Sequence, residues 1–267
     1  MTTGPLSTLW SDSLTQVTEA ELGSAIVAAA RAAVAAGELA VRVPDQAPLT
    51  WSKSGAYSSP LALRLAAVAG RPAPEVAGVI AKRLAKTPGI RRVDITGPGF
   101  LTITEQAPGA LAAAIIAAGE QYARAEVPAP ETHWPDRPRT FGNPGFSVRF
   151  AYARAAATRR RARDLRIERA DPEALNEPRE LMLLGLLAEL PGRAGQAARE
   201  NDAGPLSRQL ERIADAYHDV YERCPALPVG DEEPTRKHGA RLTLAEAVRI
   251  SLNNGLHMLG ETPRELL

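Results

Sequence analysis

Between Ala125 and Phe146 the chain carries Pro128, Pro130, Pro135, Pro138 and Pro144 with no hydrophobic period. Proline removes a backbone donor and pushes the residue before it out of the helical region, so neither a helix nor a sheet interior passes through such a stretch. It reads as a stiff, extended connector, and it cuts the 267 residues into two halves that must each build a core. His133 and Trp134 sit inside it without a pattern of their own. The expected division is a loose, polar arm over 1–17, a first domain over 18–124, the linker over 125–146 and a second domain over 147–267.

The first half mixes periods. Thr18 and Glu21 have the spacing of a capping box, and Leu22, Ile26, Ala29, Ala33 and Val34 follow on one helical face that Gly37 ends. Leu39 to Val43 alternates as a short strand. Pro60 and Pro74 open two further helices, stopped by Gly70 and by Pro88-Gly89. Two strands, about Arg91–Thr96 and Gly99–Thr104, flank Gly97-Pro98-Gly99, and a helix from about Pro108 to Arg124 completes the half. This order predicts an α+β domain on a sheet of about three strands. In the second strand, Leu101 and Ile103 share one face, while Phe100, Thr102 and Thr104 share the other. On that second face Phe100 is either displayed, where a ring can stack on an unpaired base, or covered by the terminal helix as ordinary core.

The second half reads as helix throughout, an all-α bundle of five helices. It opens on SVRFAYARAAATRRRARDLRIER, Ser147 to Arg169, with Ser147 as the expected cap. Val148, Tyr152, Ala155, Ala162 and Leu165 form a narrow apolar stripe. Around it stand Arg149, Arg154, Arg159, Arg160, Arg161, Arg163, Arg166 and Arg169, opposed locally by Asp164 and Glu168. Permanently charged, fork-shaped guanidiniums at this density suit a polyanion. A solvated face ion-paired to neighbouring acidic helices is the competing reading. Pro191-Gly192 should end the helix that contains the Leu181–Leu187 run, and a last helix is expected over about Ala240–Leu259.

A net charge of +1 argues for a localised basic patch rather than a coating tail. With Cys224 as the sole cysteine, no intramolecular disulfide forms, and a reducing, cytoplasmic setting is expected. No apolar run reaches a membrane span, so no membrane partner is expected. The four histidines lack metal-ligand spacing, so neither metal nor cofactor is expected. His218 and Cys224 lie on one helix at a spacing that turns them apart, which disfavours a thiol–imidazole pair.

Two resemblances cover most of the chain. VRFAYARAAAT, AYHDVYERCPAL and ARLTLAEAVRISLNNGLHMLG, in that order, resemble the DALR-type anticodon-binding domain of arginyl-tRNA synthetases. GAYSSPLALRLAAVAGRPAPEVAGVIAKRL and VDITGPGFLTI are similar to the same enzymes' N-terminal domain. In that family a catalytic Rossmann domain with H-x-G-H and K-M-S-K-S motifs lies between the two. Here about 22 residues of connector stand in its place, too few for such a domain. Ser52-Lys53-Ser54 is the sole echo of the lysine loop and falls inside the N-terminal module.

The resemblance implies a non-catalytic tRNA-binding protein, not an enzyme, recognising arginine tRNA and presenting it to another enzyme. Phe100 matches the aromatic position that reads the D-loop, Thr102 stands where the family has an amide, and Tyr57 matches a tyrosine. Arg149, Arg154, Arg159, Arg160 and Arg163 are the candidate contacts on the anticodon side. The chain ends Arg264-Glu265-Leu266-Leu267 where the family commonly has Glu-Arg-Met. The alternative is a protein-interaction module that docks a partner protein or a second copy of this chain.

Overall fold

The computed structural model describes residues 19–51, 56–130, 134–135 and 137–267. Two compact units emerge, one of residues 19–50 and 56–107, the other of Trp51 with Pro108–Leu267. The expected capping box at Thr18 and the Ser52-Lys53-Ser54 echo lie outside the described residues.

The first unit holds α1 (Glu19–Ala35), the Thr50 half of β1 (Thr50–Trp51), β2 (Tyr57–Ser59), α2 (Leu61–Ala69), α3 (Ala73–Leu84), β3 (Ile90–Thr96) and β4 (Phe100–Glu105). The sheet order is β1-β2-β4-β3, with β4 antiparallel to both β2 and β3. Helix α1 packs on α3, and α2 and α3 pack on one another and on β4. Leu22, Ile26, Leu61, Ile80, Leu84, Leu101 and Ile103 form the fully buried centre. The strand expected at 39–43 is absent: Leu39 is buried, but the segment is irregular, and Arg71 donates to the Glu38 carbonyl while Arg83 pairs with the Glu38 carboxylate. The third and fourth strands come instead from Thr50–Trp51 and Tyr57–Ser59.

The second unit is α4 (Ala110–Ala118), α5 (Pro144–Asp164), α6 (Pro178–Glu200), α7 (Gly204–Arg223) and α8 (Arg236–Met258), with short 3-10 turns at Gly119–Gln121 and Pro172–Ala174. Among the described residues the unit has five α-helices, the expected number, but not the expected five. Helix α4 was expected to close the α+β half. It packs on α8 instead, with Ala112 and Ile115 in the bundle core and Asn254 donating to the carbonyls of Gly119 and Tyr122. Its sequence ALAAAIIAA is apolar nearly all round, and such a helix needs the burial that a bundle supplies.

Pro191 does not end α6. Proline offers no N–H to the carbonyl four residues earlier, which here belongs to Leu187. That carbonyl accepts a 2.6 Å hydrogen bond from the Tyr122 hydroxyl, so the helix continues to Glu200 with its orphaned acceptor satisfied. One helix replaces the two expected.

The end of the connector is not extended. Helix α5 starts inside it at Pro144, and Asn143, not Ser147, is the cap: its Oδ1 accepts from the amides of Gly145 and Phe146. The Asn143 amide group also donates to the carbonyls of Pro135 and Pro138, folding the segment back on the helix start.

Helix α5 stops at Asp164. Arg166 takes a left-handed φ of 56°, and the amides of Arg166 and Ile167 bond back to Arg163 and Ala162. This is a Schellman turn with arginine where glycine is usual. Leu165, expected in the buried stripe, is therefore 57% exposed, whereas Val148, Tyr152, Ala155 and Ala162 are buried.

Candidate nucleic-acid interface

The first unit offers one open sheet face. Leu101 and Ile103 are fully buried, while Phe100, Thr102 and Thr104 alternate with them and stay partly exposed. Directly opposed residues of an antiparallel pair share a face. Thr96 opposite Phe100, Asp94 and Ser58 opposite Thr102, and Arg92 opposite Thr104 therefore join that face. Thr96 and Thr102 share a 2.8 Å hydroxyl–hydroxyl bond, and Arg92 forks onto Asp94 at 2.7 Å. The result is one ring flanked by hydroxyls and an ion pair.

The turn that carries Phe100 needs its glycines. Gly99 has φ +133°, and a Cβ there would sit 2.9 Å from the Ala73 Cβ at the start of α3.

Tyr57 does not belong to this face. It lies opposite Ile103, is 4% exposed and points into the core. The register brings Phe100 and Thr102 together and sends Tyr57 to the other side.

The five candidate arginines of α5 divide as sharply. At 100° per residue, Arg149, Arg159, Arg160 and Arg163 fall on one flank, and Arg154 falls on another. Arg149 is 13% exposed; it pairs with Glu261 at 3.0 Å and donates to the carbonyls of Trp134 and Pro135. Arg159 and Arg160 each take one oxygen of the Glu265 carboxylate at 2.8 Å. Arg163 is exposed, as are Arg161, Arg166 and Arg169 on the same end, and among the described residues no carboxylate lies within ion-pair distance of these four.

Arg154 is the centre of a cluster that the linear reading missed. Its guanidinium carbon lies 4.7 Å from the Phe150 ring centre, 4.6 Å from Tyr221 and 5.7 Å from Phe141. Phe146 and Phe150 stack at 5.4 Å, and Phe141, 54% exposed, meets the His218 ring edge-on at 4.8 Å. The i, i+4 spacing of Phe146 and Phe150 was visible; the arrival of Phe141, His218 and Tyr221 needed the fold.

His218 is held in one tautomer. Its Nε2 lies 3.1 Å from the Ser147 carbonyl, which only accepts, so Nε2 carries the proton. Its Nδ1 then accepts from Arg154 at 3.2 Å. Burial, together with the facing guanidinium, holds its pKa below the ordinary imidazole value, against the opposing pull of the Ser147 carbonyl, Asp215 and Glu222. Cys224 is buried, and desolvation pushes its thiol up, so it is a poor nucleophile. Among the described residues no His/Cys/Asp/Glu cluster suits a metal, and no helix is long and apolar enough to cross a membrane.

Comparison with known proteins gives the two faces a common setting. The arginyl tRNA synthetase N terminal domain matches residues 20–104, and the DALR anticodon binding domain matches residues 148–266. The arginine–tRNA ligase of Clavibacter sepedonicus is 41% identical over 129 residues, 48% of this chain and 23% of that ligase. The arginine–tRNA ligase of Frankia alni is 47% identical over 131 residues, 48% of this chain and 24% of that ligase. The solved Thermus thermophilus arginyl-tRNA synthetase is 25% identical over 48% of this chain and 22% of that one, with a TM-score of 0.41. Each match thus spans less than a quarter of the relative. The chain carries two domains of the arginyl-tRNA synthetase family, the N terminal domain followed by the DALR anticodon binding domain.

Proposed function

We propose that this protein binds tRNA, of the arginine type, without aminoacylating it, and hands it to a separate enzyme. The observation that carries the reading is the open end of α5. Arg161, Arg163, Arg166 and Arg169 stand exposed, with no carboxylate at ion-pair distance among the described residues, in a domain whose relatives are arginine–tRNA ligases. Four such guanidiniums follow a phosphate backbone, and each contact adds to the salt dependence of binding. Phe100, beside the bonded Thr96 and Thr102 hydroxyls, supplies a surface on which an unpaired base stacks.

The spacing of the two matched domains, 20–104 and 148–266, supports the lack of aminoacylation, because the residues between them are too few for a nucleotide-binding fold. Adenylate formation, read as ATP–pyrophosphate exchange with arginine, is expected to be absent.

A mobility-shift titration with purified arginine tRNA tests binding. Retardation is expected at low salt, weakening as salt rises. Phe100→Ala should cost on the order of tenfold in affinity, the worth of one stacked base. Absence of any shift at low salt would remove the reading.

A further inference from the structure

Resting on the reading above, we propose that Arg159 and Arg160 form a phosphodiester-binding site that the chain's own Glu265 fills as a stand-in. The Glu265 carboxylate bridges the two guanidiniums, Oε1 to Arg159 and Oε2 to Arg160, both at 2.8 Å. The two non-bridging oxygens of a phosphodiester present the same paired geometry with a full negative charge. The Glu265 backbone carbonyl adds a 3.2 Å bond from Arg160.

The carboxylate leaves the site incompletely served. Nε of Arg159 is buried and has no hydrogen-bond acceptor among the described residues. A buried donor without a partner is disfavoured, so Glu265 does not fully serve the pair.

The segment after α8 reaches this position by running along α5. Glu261 is anchored on Arg149 in a pair whose side chains are 13% and 15% exposed. Ten residues of helix rise about 15 Å, close to the span of four extended residues, so Glu265 arrives at Arg159 and Arg160. There the partners are 36–37% exposed, and ion pairs at that exposure are weak. The tail is fixed at Glu261 and displaceable at Glu265. It lies beside the open Arg161–Arg169 end, so a backbone engaging the exposed guanidiniums can extend onto Arg159 and Arg160 by displacing the carboxylate.

The test compares wild type with E265Q, and with E233Q as a control that makes the same charge change on an exposed loop. Two probes are titrated at about 100 mM salt and across a salt series: arginine tRNA, and heparin, a polyanion without bases. E265Q should bind both probes about fivefold tighter, with a log–log salt slope steeper by about 1 to 2, and E233Q should change neither by more than about twofold. A purely structural Glu265 predicts lower stability and unchanged or weaker binding. Equal affinity of E265Q and wild type for both probes, or equal gains in E233Q, overturns the site while leaving tRNA binding by wild type intact. Tighter heparin binding by E265Q with no tRNA binding by any form supports the site and removes the tRNA reading.

Discussion

The two ends of helix α5 carry the same residue type to different ends. Near its start, Arg149 and Arg154 are internal parts: one is locked to Glu261 and two carbonyls, the other is wrapped by Phe141, Phe150, Tyr221 and His218. Near and beyond its last turn, Arg161, Arg163, Arg166 and Arg169 stand in solvent. The difference arises from what surrounds the helix. The start lies between α7 and α8 and under the folded connector, whereas past Asp164 the backbone turns off, and among the described residues no carboxylate comes within ion-pair distance of the arginines there. A guanidinium that is already paired can reach a phosphate only by giving up a partner, so a run of arginines says little about RNA contact until each partner is known.

Removing the four exposed arginines together (R161A/R163A/R166A/R169A) should produce the largest effect. Affinity for arginine tRNA is expected to fall on the order of a hundredfold, with a shallower salt slope, while the urea midpoint moves little. Unchanged affinity would show that the open end has no role. Next, Arg149→Ala should cost about 2 kcal/mol of stability in urea unfolding, because Glu261 is left poorly solvated without its partner. A stable R149A protein would mean the two ends of the helix do not differ as described.

The third expectation is a pH trend. His218 has a folded-state pKa below its unfolded value of 6.5, so the unfolded chain binds its proton first as pH falls. Its contribution is fully present above about 6.5 and lost as pH drops from there through the lowered folded value. Glu105, raised by burial to about 7, acts with the opposite sign: its contribution is present below its unfolded value of 4.5 and lost as pH rises through about 7. Urea midpoints between pH 5 and 8 should lose their acid-side slope in His218→Asn and their neutral-side slope in Glu105→Gln. An unaltered profile in either variant contradicts its assignment. The smallest effect belongs to Glu222→Gln, which removes the exposed partner 3.7 Å from Arg154 and should cost under about 0.5 kcal/mol.

Much of this was legible in the linear chain. The alternation in FLTIT placed Leu101 and Ile103 inside and Phe100 and Thr102 opposite them, because a period of two is a local property. The α5 stripe was equally local from Val148 to Ala162 and failed at Leu165, where the helix has already ended. Tyr57 was not legible, since its face depends on which residue of β4 it opposes, and that register is set between strands. The fates of Arg149, Arg159 and Arg160 were hidden for the same reason: their partners Glu261 and Glu265 lie over a hundred residues away. Pro191 misled because the hydroxyl that rescues the Leu187 carbonyl comes from Tyr122, across the bundle.

Arg166 shows two demands in conflict on one residue. A left-handed arginine costs about 1 kcal/mol where glycine would rest without strain, yet glycine would bring no charge to the open end of the helix. Arg166→Gly should therefore yield a sturdier protein that holds polyanions less well, so at this one α-carbon endurance and grip are exchanged directly.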